Sequence, residues 1–237
     1  MKKLTLKSLP AALVAVTAAA SLCHSTPARA DGVQSNTVRV GMYQIFYHVT
    51  ADDLQGPYVP PGVNVDLKNT QTAYLAYIRR LNSFLDLEFA FGVPPKTKTI
   101  GKGPATLGSV PYNGQTIATS KWLAPSVLLE YKFFDESAAF RPYVGVGVNY
   151  TSFYDRQVTT AGQMGTGGPT RLSLTSSVGP VGTVGLKYQP GTRWSVIASY
   201  SISRVNSDLK TETAGVVRTS HIKFGPQALV IAAGYSF

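Results

Sequence analysis

Few residues in this chain could carry covalent or metal chemistry: it has three histidines, one cysteine and 12 acidic side chains in 237 residues. Past residue 30 the histidines reduce to His48 and His221, and no cysteine remains, which removes disulfides and thiolate metal sites. Two imidazoles brought together could act as a base, a pH-sensitive contact or an adventitious metal site. No serine or aspartate stands at a spacing that would complete a triad, and Ser120, Ser126 and Ser152 lack such partners. The run GQMGTGGP from Gly162 has the glycines of a phosphate-cradling loop without the strand-to-helix context, and reads as a flexible loop. Lys96, Lys98, Lys102 and Lys121 share a stretch without an acidic residue, which fits either phosphate binding or a solvated loop. The expectation is therefore no catalytic residue, no metal, no cofactor and no enzymatic activity.

The N-terminus explains much of the basicity. Lys2, Lys3 and Lys7 precede an apolar run over 9–22, and the small-x-small triplet Ala28, Arg29, Ala30 closes it. That order is a secretory signal peptide, and at roughly 14 residues the apolar run is short of the ~20 a membrane helix needs. Cleavage after Ala30 is expected, leaving 31–237 as a single domain. Cys23 leaves with the leader, since Leu22 before it is too large for lipid attachment. The net charge of +10 less the four cations Lys2, Lys3, Lys7 and Arg29 is +6. An exported chain with scattered basic residues is not expected to bind nucleic acid.

The remaining apolar residues are spread in short alternating runs, so a helical membrane protein is excluded. Period-two reading marks eight segments: 37–49, 69–80, 85–92, 121–134, 140–153, 172–188, 194–203 and 221–237. Most reach the ~9 to 11 residues that a tilted strand needs to cross a bilayer. The gaps between them run long, short, long, short, which is the rhythm of an outer-membrane barrel with long outer loops and tight periplasmic turns. The predicted fold is an all-β, eight-stranded, antiparallel, up-and-down transmembrane barrel in the Gram-negative outer membrane.

Alternation assigns the faces. Leu85, Leu87, Phe89 and Phe91 oppose Asp86, Glu88 and Ala90; Val127, Leu129 and Tyr131 oppose Leu128, Glu130 and Lys132. A soluble barrel would turn the apolar face inward. The last strand, alternating Leu229, Ile231, Ala233, Tyr235 and ending on Phe237, has instead the form that barrel-assembly machinery of the outer membrane reads. Tyr131, Phe133, Tyr188, Trp194, Tyr235 and Phe237 fall at the turn side, and Phe46, Tyr74, Phe91, Tyr150 and Tyr200 nearer the loops, as two interfacial belts.

These features resemble the OmpW family of small outer-membrane barrels. The resemblance is carried by LAPSVLLEYKFF from Leu123, AFRPYVGVGVNYTSFYD from Ala139, SLTSSVGPVGTVGLKY from Ser173 and GYSF from Gly234. The second combines Arg141, Pro142 and Tyr143 with alternating Gly145 and Gly147, and the sequence departs from the family chiefly around 52–67 and 97–115. The resemblance implies a narrow, partly hydrophobic channel that helps small apolar compounds cross the outer membrane.

Eight strands enclose a bore barely wider than side chains, so free aqueous diffusion is not expected. Arg39, Arg79, Asp86, Glu88, Glu130, Lys132, Arg141 and Lys187 are predicted to pair as a charged plug at the periplasmic end. Ala73, Leu75, Ala90, Trp122, Ala124 and Leu128 are predicted to line an apolar channel above it. An apolar bore closed below predicts entry of small hydrophobic solutes from outside and lateral release into the bilayer, where Pro125, Pro180 or Pro226 weakens strand pairing. Expected partners are outer-membrane lipid, lipopolysaccharide, such solutes and the assembly machinery. The alternative is a non-conducting barrel that serves as an anchor or interaction protein through its outer loops.

Overall fold

The computed structural model describes residues 35–237; the expected leader, with Cys23, lies outside the described residues. In chain order the elements are β1 (Asn36–Tyr47), β2 (Thr50–Ala51), β3 (Asn64–Leu67), β4 (Thr70–Arg80), β5 (Leu85–Gly92) and β6 (Lys96–Lys102). Then come β7 (Thr106–Leu107), β8 (Val110–Pro111), β9 (Thr116–Leu123), β10 (Ser126–Lys132), β11 (Phe140–Val158) and a helix α1 (Thr160–Thr166). The chain ends with β12 (Thr170–Leu174), β13 (Ser177–Tyr188), β14 (Trp194–Ser203), β15 (Asn206–Thr213), β16 (Val216–Lys223) and β17 (Pro226–Ser236).

Eight strands close in the order β1, β4, β5, β10, β11, β13, β14, β17 and back to β1, all neighbours antiparallel. The predicted eight-stranded barrel is what forms. The β1–β17 seam runs from Thr37↔Ser236 to Tyr47↔Pro226, and below it the amide of Asn36 donates to the carbonyl of Phe237 at 3.1 Å. Closure leaves no unpaired backbone edge in hydrocarbon, where each unsatisfied group would cost several kcal/mol, about what one lost buried hydrogen bond costs.

Residues paired across strands share a face, so β1 sets the parity for its neighbours. Val40 and Met42 are more than half exposed, whereas Arg39 and Ile45 are buried. The same division separates Val127, Leu129 and Tyr131 from Leu128, Glu130 and Lys132, and Leu229 and Ile231 from Val230 and Ala232. A Val or Leu side chain left in water forgoes roughly 1.5–3 kcal/mol of burial, so an outer wall built from them requires lipid as its solvent. Trp194 packs on Tyr235 at 5.0 Å between centroids, and Tyr131 on Phe133 at 5.1 Å, at the turn end of that wall. At the loop end Phe46, Phe91 and Tyr200 are exposed. Tyr74 departs from its predicted place in the outer belt and is buried in the bore.

Above the barrel the long connections are not irregular loops. They form a second tier in which β3, β6, β9 and the outer end of β11 make one sheet, and β2, β16, β15 and β12 another. Their apolar residues cluster: Val65, Val205, Leu209, Ile222 and Phe224 pack together, with Phe153 5.4 Å from Phe224. The predicted segments 121–134, 172–188 and 221–237 therefore each run through a break, at 124–125, 175–176 and 224–225, where barrel gives way to tier. Pro125 supplies no N–H at the first. Gly225 at the third has φ 47°, and a Cβ there would stand 2.9 Å from the His48 carbonyl oxygen. The glycine-rich run from Gly162 is partly helical: Thr159 caps α1 by accepting from the Gly162 amide, and Gly167 ends it at φ 86°.

Candidate functional site

The interior has two levels. The lower one is charged and closed. Arg39 on β1 donates to Glu88 on β5 at 2.5 Å and reaches Glu130 on β10 at 3.3 Å, while Tyr74 on β4 donates its hydroxyl to Glu88 at 3.0 Å. Lys132 bonds Asp86 at 2.6 Å. Arg141 donates to the carbonyls of Ser83 at 2.7 Å and Phe134 at 2.8 Å, tying two turns together beneath the bore. Lys187 pairs in register with Arg141 across β11–β13 and is buried. Arg39 is 2% exposed and Glu130 and Lys132 are each 1% exposed, so these side chains fill the interior at this level.

Seven of the eight charged residues read from the sequence thus converge here, and Arg79 does not. Arg79 is exposed and bonds Asn36 on the outer wall at 2.8 Å. Ala73 and Leu75 also face outward, because they pair with the exposed Met42 and Val40. Tyr74, Ala76 and Ile78 hold the interior of β4 instead. The reason is that both faces of this strand are apolar between Ala73 and Ile78, so alternation there shows two faces without naming them.

The upper level is a chamber of about 240 Å³ whose floor is Glu88 and Glu130. Ala90, Trp122, Ala124 and Leu128 line it, joined by Ile45, Val181, Val230 and the apolar tier residues Leu209, Ile222 and Phe224. Trp122 is fixed by its indole N–H, which donates to the Thr97 hydroxyl at 3.0 Å. One wall is polar: Ser199, Ser201 and Ser203 project from alternate positions of β14 beside Thr183 and Asn149. This stripe was not among the candidate lining residues, although serine at every second position of 199–203 is its signature.

The other candidates disperse. His221 bonds Asp208 at 2.7 Å on an exposed β15–β16 face, and His48, just past the end of β1, is exposed near Gly225. Among the described residues no three metal-capable side chains cluster. Lys102 pairs with Asp66 at 2.7 Å and Lys121 with Asp155 at 3.2 Å, leaving Lys96 and Lys98 of the basic stretch without ion pairs among the described residues.

The closed ring and its lipid-facing wall agree with a family match. The profile, that of the OmpW family, matches residues 106–237. The chain belongs to the OmpW family. It is similar to outer membrane protein W of Vibrio cholerae, 28% identical over 201 residues, 84% of this chain and 87% of that one. Outer membrane protein W of Salmonella typhimurium is 34% identical over 121 residues, 51% of this chain, and that match spans only 56% of the relative's length. The crystal structure of OprG from Pseudomonas aeruginosa has the same fold, with a TM-score of 0.77 at 19% identity over 86% of this chain and 96% of that one. As a member of the OmpW family the chain is a protein of the Gram-negative outer membrane.

Proposed function

We propose that this OmpW-family barrel is a conduit for small hydrophobic molecules, admitting them from outside and releasing them sideways into the bilayer without chemical change. The observation that carries this reading is the pairing of a sealed floor with an incomplete wall. The β11–β13 ladder stops at Thr151↔Ser177, and among the described residues β11 above it pairs only with β9, while β12 pairs only with β15. Among the described residues β11 and β12 share no ladder there: they meet through Phe153, Leu172 and Leu174, packed against one apolar cluster, and one long hydrogen bond, Arg156 to the Leu174 carbonyl at 3.4 Å. A solute that cannot pass the ion pairs below has a seam without a ladder beside it. Of the prolines weighed from sequence, Pro125 sits at a ladder break, while Pro180 lies inside the continuous β11–β13 ladder and Pro226 begins the paired β17.

The test is uptake of a fluorescent apolar probe by cells carrying the wild type or a chamber variant. Leu209→Arg places a charge among Val205, Ile222 and Phe224 and is expected to abolish the uptake that depends on the protein. Uptake equal to wild type in a correctly folded variant would favour the anchoring role, in which the outer tier serves contacts with lipopolysaccharide or other cells.

A further inference from the structure

The chamber lining holds three charged residues: Glu88 and Glu130 at the floor, and Arg218 of β16 in the outer tier. The floor carboxylates share Arg39. Arg218 has no carboxylate within ion-pair distance among the described residues. It is 7% exposed, its Nε donates to the Pro57 carbonyl at 3.2 Å, and its Nη1 is buried with no hydrogen-bond partner. A guanidinium carries five donors and keeps its charge in a protein, so this is a buried cation with both Nη1 donors unspent.

An uncompensated buried charge is costly, and a chamber meant for hydrocarbon alone gains nothing from one. The neighbouring wall is polar as well: Thr211 pairs with Arg218 in register, and the hydroxyls of Thr170 and Thr213 bond at 2.7 Å close by on the same sheet. Inward from this rim the same sheet turns apolar through Leu209 and Ile222, with Phe224 packed against them just past the end of β16. The lining thus runs from cation, to apolar shaft, to anionic floor.

We infer that the outer chamber binds a monoanionic amphiphile, a carboxylate on an alkyl or aryl tail, with its head on Arg218 and its tail in the shaft. The inference rests on the conduit reading and narrows its solute class. The carboxylate supplies the two oxygens that a guanidinium fork accepts best. The floor carboxylates repel the head, which keeps it at the rim and directs the tail inward.

Occupancy can be read from Trp122, which lines the chamber, once the lipid-facing Trp194 is changed to Phe. The full protein in detergent-free nanodiscs, blanked against empty discs, is titrated with decanoate and with decanol at about pH 8, where the acid is ionised. Both are expected to alter Trp122 emission. Arg218→Gln is expected to weaken decanoate by about tenfold or more and to leave decanol within about twofold, with Arg218→Lys recovering part of the loss. If Arg218→Gln leaves decanoate unchanged, or weakens both ligands alike, the head-group assignment is overturned and the conduit reading stands. If neither ligand alters Trp122 in the wild type, both fall. Should Arg218→Gln not fold, as judged by heat-modifiable gel mobility, the wild type still decides. Decyltrimethylammonium must then bind at least about tenfold more weakly than decanoate, and equal binding overturns the inference.

Discussion

Arg39 and Glu88 lie 2.5 Å apart on strands that are not hydrogen-bonded neighbours, since β4 stands between them. The pair therefore bridges over β4 on the inside of the ring, and with Glu130 it joins three strands in the interior. Buried ion pairs offset their own desolvation only when complete, which makes this bridge sensitive to loss of one partner.

Arg39→Met is expected to destabilise the barrel by about 3–5 kcal/mol, because it strands two buried carboxylates. The triple change Arg39→Met, Glu88→Gln, Glu130→Gln removes the stranded charge and should recover most of that loss. Urea unfolding in lipid vesicles measures both. A single variant as stable as wild type would show that the floor is not held by this pair.

The lipid-facing wall gives a second expectation. Val146 is 70% exposed midway along the lipid face of β11. Val146→Arg should cost roughly 2–4 kcal/mol, the range for a cation near the bilayer midplane. Ser201→Arg, on the polar wall of the chamber, has no lipid to face and should cost clearly less in the same vesicle assay.

Gly185 makes room for a bore residue. A Cβ at that position would stand 2.5 Å from Cζ of Tyr143, its cross-strand partner, and Tyr143 lies beneath the Arg39 guanidinium at 5.7 Å from ring centroid to Cζ. Gly185→Ala is expected to cost about 1–3 kcal/mol by overpacking. Combining it with Tyr143→Leu should relieve most of the penalty, which a double-mutant cycle would show as coupling well outside error.

The outer tier has a pH dependence of its own. Tyr112, packed against Val63 and Leu107, has its phenol pushed up to about 12 by burial. Its contribution to stability is complete below the ordinary tyrosine value near 10 and is lost as pH rises from about 10 to 12, because the unfolded chain then releases the proton first. Tyr112→Phe should flatten that alkaline loss when amide exchange of the tier is followed over the same window.

Barrel and membrane were legible in the sequence because each depends on local alternation. Where one face carries charge, as in Asp86, Leu87 and Glu88 or Glu130, Tyr131 and Lys132, every residue's side follows from its parity, and the structure places them accordingly. Period two does not name the sides of β4, where Leu75 and Tyr74 are both apolar and the structure buries Tyr74 in place of Leu75. Only pairing with Val40 and Met42 settles that strand.

Arg218 shows the other limit. Along β16 it looks like one more solvated cation on a long connection, and nothing within a few residues says that it is enclosed. Its burial arises because two sheets, built from segments far apart in the chain, face each other above the bore. Sequence determined the wall, since lipid and interior act on each side chain through its own strand. Tertiary structure decided the chamber, since enclosure is a property of elements brought together by closure of the ring.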